Sequence, residues 1–263
     1  MNTASTSHTQ DTGLCPQRLG RVSDWMKLQV SSGKLAGLIT VIARRGQIAH
    51  FEVAGKADIA RGTPMARDTI FRIYSMTKPL TSVAIMMLYE EGRFQLDDPI
   101  ARFVPAFKDQ RVFTGNSRGK IDTAPAERGI TFRDLLTHTS GLTYGFMESN
   151  IIDYTYRRQG VDFQTAETSL KDVVEKAAAI PLIAQPGRAW NYSIATDVLG
   201  YLVEVVSGMP FEKFLMERVI RPLKLADTDF FVPEAKQSRL AANYSSDGKG
   251  GLALIDDPGK SRY

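Results

Sequence analysis

Apolar positions recur at helical spacing in residues 16–32, where Leu19, Val22, Met26 and Val30 would share one face of an amphipathic helix. The period then changes. Leu38-Ile39-Thr40-Val41-Ile42-Ala43 is a β-rich run, Arg44-Arg45-Gly46-Gln47 reads as a tight turn, and Ile48 to Val53 reads as a returning strand. Together they predict an antiparallel hairpin. Thr69 to Tyr74 is a short extended segment. A helix is expected from about Ser75 to Glu91, closed by Gly92, with Met76, Leu80, Val83, Ala84, Met87 and Leu88 as its apolar stripe. Pro79 places the start of that helix close to Ser75, because proline lacks an N–H and clashes with a preceding helical turn. Residues 93–130 read mostly as loop, with Asp98-Pro99 and several glycines. Helical signals return at 131–138, 168–179, 194–207 and 210–220. Strands first and a long helical middle afterwards suit an α+β layout with a helical subdomain, not alternating βαβ units.

A chain of 263 residues has room for one large domain or two small ones. Its 43% hydrophobic and 24% charged residues are ordinary for a globular protein. The net charge of +4 is scattered and forms no stripe, so it reads as a solvated surface and no nucleic-acid partner is expected. Cys15 is the only cysteine. No intramolecular disulfide can form, no thiolate metal site can be built, and with three histidines no metal centre is expected. Residues 1–15 are polar and read as a disordered lead without a signal core. No apolar run approaches the roughly 18 residues of a membrane helix. These features together lead to the expectation of a soluble, cytoplasmic protein with no membrane partner.

The pattern Ser-x-x-Lys occurs four times, at Ser31/Lys34, Ser75/Lys78, Ser117/Lys120 and Ser246/Lys249. Only Ser75 follows an extended segment and opens a long apolar-faced helix; the others lie in Gly-rich polar stretches. Residues i and i+3 share a helix face, so Lys78 can reach the Ser75 hydroxyl. Unpaired N–H groups and the positive dipole end at a helix start would stabilise an oxyanion there. A lysine in a partly dry site can serve as base. The same pattern would arise from an N-cap serine beside a surface lysine.

A rival nucleophile is Ser117 in Gly115-Asn116-Ser117-Arg118-Gly119, which fits the G-x-S-x-G elbow. That elbow needs a buried strand before it and a helix after it, and neither flank supplies one. It also needs a downstream histidine with an acid between. Only His138 follows, and it lies too close, so Ser117 is read as a decoy. His138, in Leu135-Leu136-Thr137-His138-Thr139-Ser140-Gly141-Leu142, is read as a structural residue at a helix end. In Pro186-Gly187-Arg188-Ala189-Trp190-Asn191-Tyr192-Ser193 a Pro-Gly turn leads into a helix from about Ile194. Tyr192 at that junction could relay a proton between serine and leaving group. It could equally be a half-buried packing aromatic, which is the reading preferred for Trp190.

Taken in order and spacing, Ser75-Met76-Thr77-Lys78, Leu135–Leu142 and Pro186-Gly187…Tyr192-Ser193 resemble the serine β-lactamase-like superfamily. They are most similar to the class C β-lactamase-related esterases known as family VIII carboxylesterases, from about residue 16 to the end. The resemblance implies a β-lactamase/transpeptidase-like α+β fold: an antiparallel sheet flanked by helices, plus a helical subdomain. The implied division of 16–263 is an α/β part with the nucleophile helix (16–92), a mainly helical subdomain (93–225) and a return towards the sheet (226–263). It also implies Ser75 as nucleophile, Lys78 as its activating partner, Tyr192 as proton shuttle, the Ser75 N–H as an oxyanion donor, and no cofactor.

Two departures refine the expectation. Class C β-lactamases carry Tyr-x-Asn where this chain has Tyr192-Ser193-Ile194, so the amide that would bond a lactam side chain is replaced by hydrocarbon. An ester loses less by that exchange than an amide does. The third family motif, a Lys-Thr-Gly-like or Trp-x-Gly-like strand, has no match after Tyr192; Lys249-Gly250-Gly251 is a loop-like run. The sheet is therefore expected to be incomplete, with exposed edges and apolar faces around the 38–53 hairpin. The expected activity is carboxylesterase cleavage of small-molecule esters through an acyl-enzyme on Ser75. The alternatives are a β-lactamase, D-amino-acid peptidase or transacylase of the same superfamily, a truncated homologue that binds without catalysing, and an α/β-hydrolase using Ser117.

Overall fold

The computed structural model describes residues 12–117, 120–161 and 168–261. It divides into two compact units, one built from the chain up to Ile73 together with the chain from Asp229 on, the other from Tyr74–Thr228.

In the first unit, helix α1 (Pro16–Ser31) carries proline in its first turn, where a missing N–H costs nothing. Strands β1 (Gly37–Arg44) and β2 (Gln47–Asp58) pair antiparallel from Gly37↔Gly55 to Arg44↔Gln47 across the two-residue turn Arg45-Gly46, as the sequence predicts. A short β3 (Thr63–Pro64) joins the far edge of β2. Helix α1 seals the hairpin through Met26, which is fully buried, and through Ser23, whose hydroxyl bonds Glu52. Val41 and Ile48 remain half exposed, in line with the exposed apolar faces expected of this hairpin. The chain from Asp229 on adds the hairpin β6 (Asn243–Ser246) and β7 (Leu252–Asp256). Arg72 ties this segment down by pairing with Asp256 and donating to the Ala241 carbonyl, and Arg61 bridges Asp58 and Asp257. Of the expected disordered lead, residues 1–11 lie outside the described ones. At 12–15 the expectation is corrected: Thr12 is buried, and the Arg44 guanidinium bonds the carbonyls of Thr12 and Gly13 at 3.0 and 3.2 Å.

The second unit is mainly helical. Helix α2 (Thr77–Glu90) packs on α6 (Ala195–Ser207), which buries Val198, Leu199, Leu202 and Val203. Around them lie α3 (Phe132–Leu136), α4 (Ile151–Arg158), α5 (Leu170–Ala178) and α7 (Phe211–Leu215), the last running on into a π turn over Met216–Ile220. Phe94 and Phe132 stack at 3.7 Å in the middle of the core. Thr131 and Ser169 start α3 and α5 with reciprocal capping boxes to Asp134 and Asp172.

Three expectations need correction. The supposed loop within 93–130 contains a hairpin, β4 (Arg111–Ser117) with β5 (Lys120–Pro125), held to the unit by the Phe113 N–H on the Leu182 carbonyl at 2.7 Å. Its alternation is hidden by a bulge between Phe113 and Gly115 and by polar residues on both strands. Second, α2 was grouped with the α/β part at 16–92, yet it belongs to the helical unit because Ala84, Ile85 and Leu88 bury there. Third, its buried face is Thr81, Ala84, Ile85 and Leu88, while Met76 and Val83 are 70% and 47% exposed. No helix among the described residues is long and apolar enough to cross a membrane.

Candidate active site

Ser75 sits in a single 3₁₀ turn, Tyr74–Met76, immediately before α2. Tyr74 takes the left-handed region at φ 43°, which turns the chain from its extended approach into the helix. One helical step later Lys78 points back, and its Nζ donates to the Ser75 Oγ at 3.3 Å. The Tyr192 phenol donates to the same oxygen at 2.6 Å. The Lys78 ammonium also lies 4.7 Å from the centre of the Tyr192 ring and 5.5 Å from that of Tyr144. Ser75, Lys78 and Tyr192, which the sequence singled out separately, therefore meet at one exposed hydroxyl, and all three belong to the helical unit.

Burial pushes the Tyr192 phenol up, but hydrogen bonds from Lys78 and Ser75 and the Lys78 charge outweigh it. The phenol is left below the ordinary tyrosine value. His138 is also held below its ordinary value, first by burial and then by the positive charge of Lys78.

The position of Tyr192 follows from two loops lying side by side. The Ile183 N–H donates to Gly141 O, Gly187 N–H to Thr139 O and Asn191 N–H to His138 O, each at 2.8 Å. Both glycines are required. Gly141 and Gly187 have φ of 82°, and a Cβ at Gly141 would come within 2.2 Å of the Ala184 carbonyl oxygen. The Asn191 side chain fastens the last step: its Nδ2 donates to Leu142 O at 2.9 Å and to Tyr192 O at 3.2 Å. Beneath Gly187, Arg128 grips the buried Asp134 with bonds of 2.6 and 2.9 Å, and Asp134 also accepts from Thr131 and, at 3.4 Å, from Thr139.

The remaining candidates fall elsewhere. Ser117 is the exposed last residue of β4, paired with Lys120 across the hairpin, so a strand and not a helix follows it; Arg118 and Gly119 of that motif lie outside the described residues. His138 takes φ 55° just after α3, and its Nδ1 lies 3.3 Å from Ser193 Oγ, a structural contact. Its ring also lies 5.0 Å from that of Tyr192. Trp190 is 67% exposed and so is not the packing residue expected. Sequence reasoning missed Asn191, Asp134 and Tyr144. The Thr131-x-x-Asp134 capping spacing could have flagged the second; nothing local marks the other two.

Comparison with known proteins bears on the family and the fold. A family profile described as Beta-lactamase matches residues 22–263. Protein Rv1367c of Mycobacterium tuberculosis is 41% identical over 221 residues, 82% of this chain and 53% of that one. Esterase EstB of Burkholderia gladioli is 34% identical over 213 residues, 80% of this chain and 50% of the esterase. The solved structure of EstCE1, described as a hydrolase with promiscuous acyltransferase activity, superposes with a TM-score of 0.77 at 30% identity, covering 92% of this chain and 60% of its own. The chain thus spans about half the length of the curated relatives it matches. Its antiparallel strands and helical unit have the β-lactamase/transpeptidase-like α+β fold, and the chain belongs to the Beta-lactamase family.

Proposed function

We propose that the chain carries the nucleophilic centre of a serine hydrolase that cleaves small carboxylic esters through an acyl-enzyme on Ser75. The observation that carries this reading is the double contact on one hydroxyl: Lys78 at 3.3 Å and Tyr192 at 2.6 Å from the Ser75 Oγ. Once the Tyr192 phenol has lost its proton beside Lys78, its oxygen takes the Ser75 proton as Oγ attacks the ester carbonyl. The tetrahedral oxyanion is met by the backbone N–H of Ser75 at the helix start. Collapse expels the alcohol, which leaves with the proton held by Tyr192. Water then repeats the sequence on the acyl group, giving the carboxylic acid and free Ser75. No cofactor enters these steps.

Esters are favoured over β-lactams by Ile194. It is 2% exposed and packs with Tyr144 and Tyr192, so that position offers no side-chain amide to a lactam substituent. The names of the relatives point the same way: Esterase EstB is an esterase, and EstCE1 is described as a hydrolase.

The test is a fluorophosphonate probe followed by peptide mapping, with Ser75→Ala and Ser117→Ala variants alongside. Label on Ser75 that disappears in Ser75→Ala and persists in Ser117→Ala is expected, together with hydrolysis of acetate esters. A folded protein that takes no label at Ser75 would refute a hydrolytic centre and leave a binding role.

A further inference from the structure

We propose that Phe146 and Tyr144 form a stacking wall beside Ser75 that receives an uncharged, flat aromatic group of the ester, which makes aryl-bearing esters the substrate class. The proposal rests on the serine-hydrolase reading above. Its basis is a continuous run of rings leading out of the catalytic centre. The Tyr144 ring is 5.3 Å from that of Tyr192, and Phe146 stacks on Tyr144 at 4.7 Å with an interplanar angle of 24°. Tyr144 is almost fully buried at 7% exposure, whereas Phe146 is 45% exposed. A second branch leaves Tyr192 through His138, at 5.0 Å, to Trp190, whose ring centre lies 6.4 Å from that of the imidazole in a T-shaped arrangement and which is 67% exposed. Tyr144 and Tyr192 already carry the Lys78 ammonium near their faces, whereas Phe146 stands one ring further from that charge. An uncharged ring laid against Phe146 would extend the offset stack the protein has begun.

A single exposed phenylalanine is ordinary on a protein surface. Phe146 differs in how its backbone is held. Asp153 is completely buried, and it accepts from the Thr143 hydroxyl at 2.7 Å and from the Ser149 N–H at 2.8 Å, so one carboxylate ties both ends of segment 143–149. The Arg157 guanidinium bonds the Gly145 carbonyl between them. Helix α4, which carries Asp153 and Arg157, is itself fixed by the Asn150 cap, which accepts from Ile152 N–H at 2.8 Å and Asp153 N–H at 3.0 Å. The ring is thus presented on a firm support, linked through Tyr144 and Tyr192 to the Ser75 hydroxyl, where a substrate's apolar group can lose water against it.

The test compares modification of Ser75 in the full chain by methanesulfonyl fluoride and phenylmethanesulfonyl fluoride, read as second-order rates by intact mass with peptide mapping. The phenyl-to-methyl rate ratio cancels differences in nucleophile strength between variants. Phe146→Ala is expected to lower that ratio by about five-fold, the size of a lost ring pair. Phe146→Leu, which keeps apolar bulk without a ring, should fall between, and Phe146→Trp should restore the ratio. If Ser75 is modified but the ratio is the same in all four proteins, the aromatic wall is overturned while the hydrolase reading stands. If Ser75 is not modified by either reagent, the hydrolase reading falls and the wall falls with it.

Discussion

Asn191→Ala tests whether Tyr192 is positioned by its neighbour. The Asn191 amide donates 2.9 Å to the carbonyl of Leu142, a residue with no exposed surface, and 3.2 Å to the Tyr192 carbonyl. Truncation removes both donors and leaves a buried acceptor one partner short, a loss of about 1–3 kcal/mol. For a unit of this size that lowers the melting temperature by about 2–4 °C per kcal/mol. The catalytic effect is separate. The Asn191 backbone N–H still holds His138 O at 2.8 Å, so the loop loosens without detaching. A displacement on the order of 1 Å of the phenol from Ser75 Oγ reduces the rate by about 100-fold. The expected result is a large fall in kcat for an acetate ester with little change in KM, and a matching fall in fluorophosphonate labelling. Asn191→Asp supplies no donor to Leu142 O and should do at least as badly as alanine. If Asn191→Ala lowers the melting temperature yet keeps the wild-type labelling rate and pH profile, the residue serves stability only and the positioning argument is wrong.

Other consequences follow from the same contacts. Because Lys78 and Ser75 hold the Tyr192 phenol below its usual value, activity should rise with pH along a limb centred below the ordinary tyrosine value of about 10, and Tyr192→Phe should abolish that limb in a pH–rate profile. Burial raises the Asp134 carboxyl, but bonds from Arg128 and Thr131 outweigh it and leave it lowered. Its contribution is therefore present above the unfolded value of about 3.9 and lost as pH falls through the lower folded value, so melting curves of wild type and Asp134→Asn should converge only in strong acid. The absolute gap at neutral pH should be modest, since the Arg128 side chain is 46% exposed. Phe132→Ala removes a fully buried ring stacked at 3.7 Å on Phe94 and should lower unfolding free energy by about 3–5 kcal/mol in urea titration; a loss under 1 kcal/mol would mean the core closes over the gap.

Those parts of the fold that obey local rules were readable from the chain. The β1–β2 turn at Arg45-Gly46 and the stop of α2 before Gly92 depend on residues within one turn of each other. The hairpin β4–β5 was not, because Gly115, Asn116, Ser117 and Lys120 give it the composition of a loop, and its strand character comes from Phe113 and Arg111 bonding the chain at Leu182. Unit membership of α2 was misjudged for a related reason: the helix follows strands in sequence, but the partner of its apolar face, α6, lies more than a hundred residues on. Asn191 escaped notice because its role depends on a carbonyl at Leu142, 49 positions away, which no local pattern marks.

The four Ser-x-x-Lys matches show what such a motif can and cannot carry. Spacing alone brings lysine towards serine only where a helix exists. At Ser31 the hydroxyl bonds back to Leu28 O in the last turn of α1, at Ser246 it accepts from Gly248 N–H in a turn, and Ser117 faces Lys120 as a register partner across a hairpin. At Ser75 a 3₁₀ turn runs straight into the helix, so the lysine three residues later returns to the serine. Even there, the pair by itself would be a capped helix beside a surface cation. The feature that changes its chemistry is the phenol delivered from 117 residues further along, by a loop whose glycines allow it to lie against the chain at 138–143. The proposed nucleophile thus depends on the packing between two loops and one helix start, and a substitution that disturbs that packing should lower activity without touching Ser75 itself.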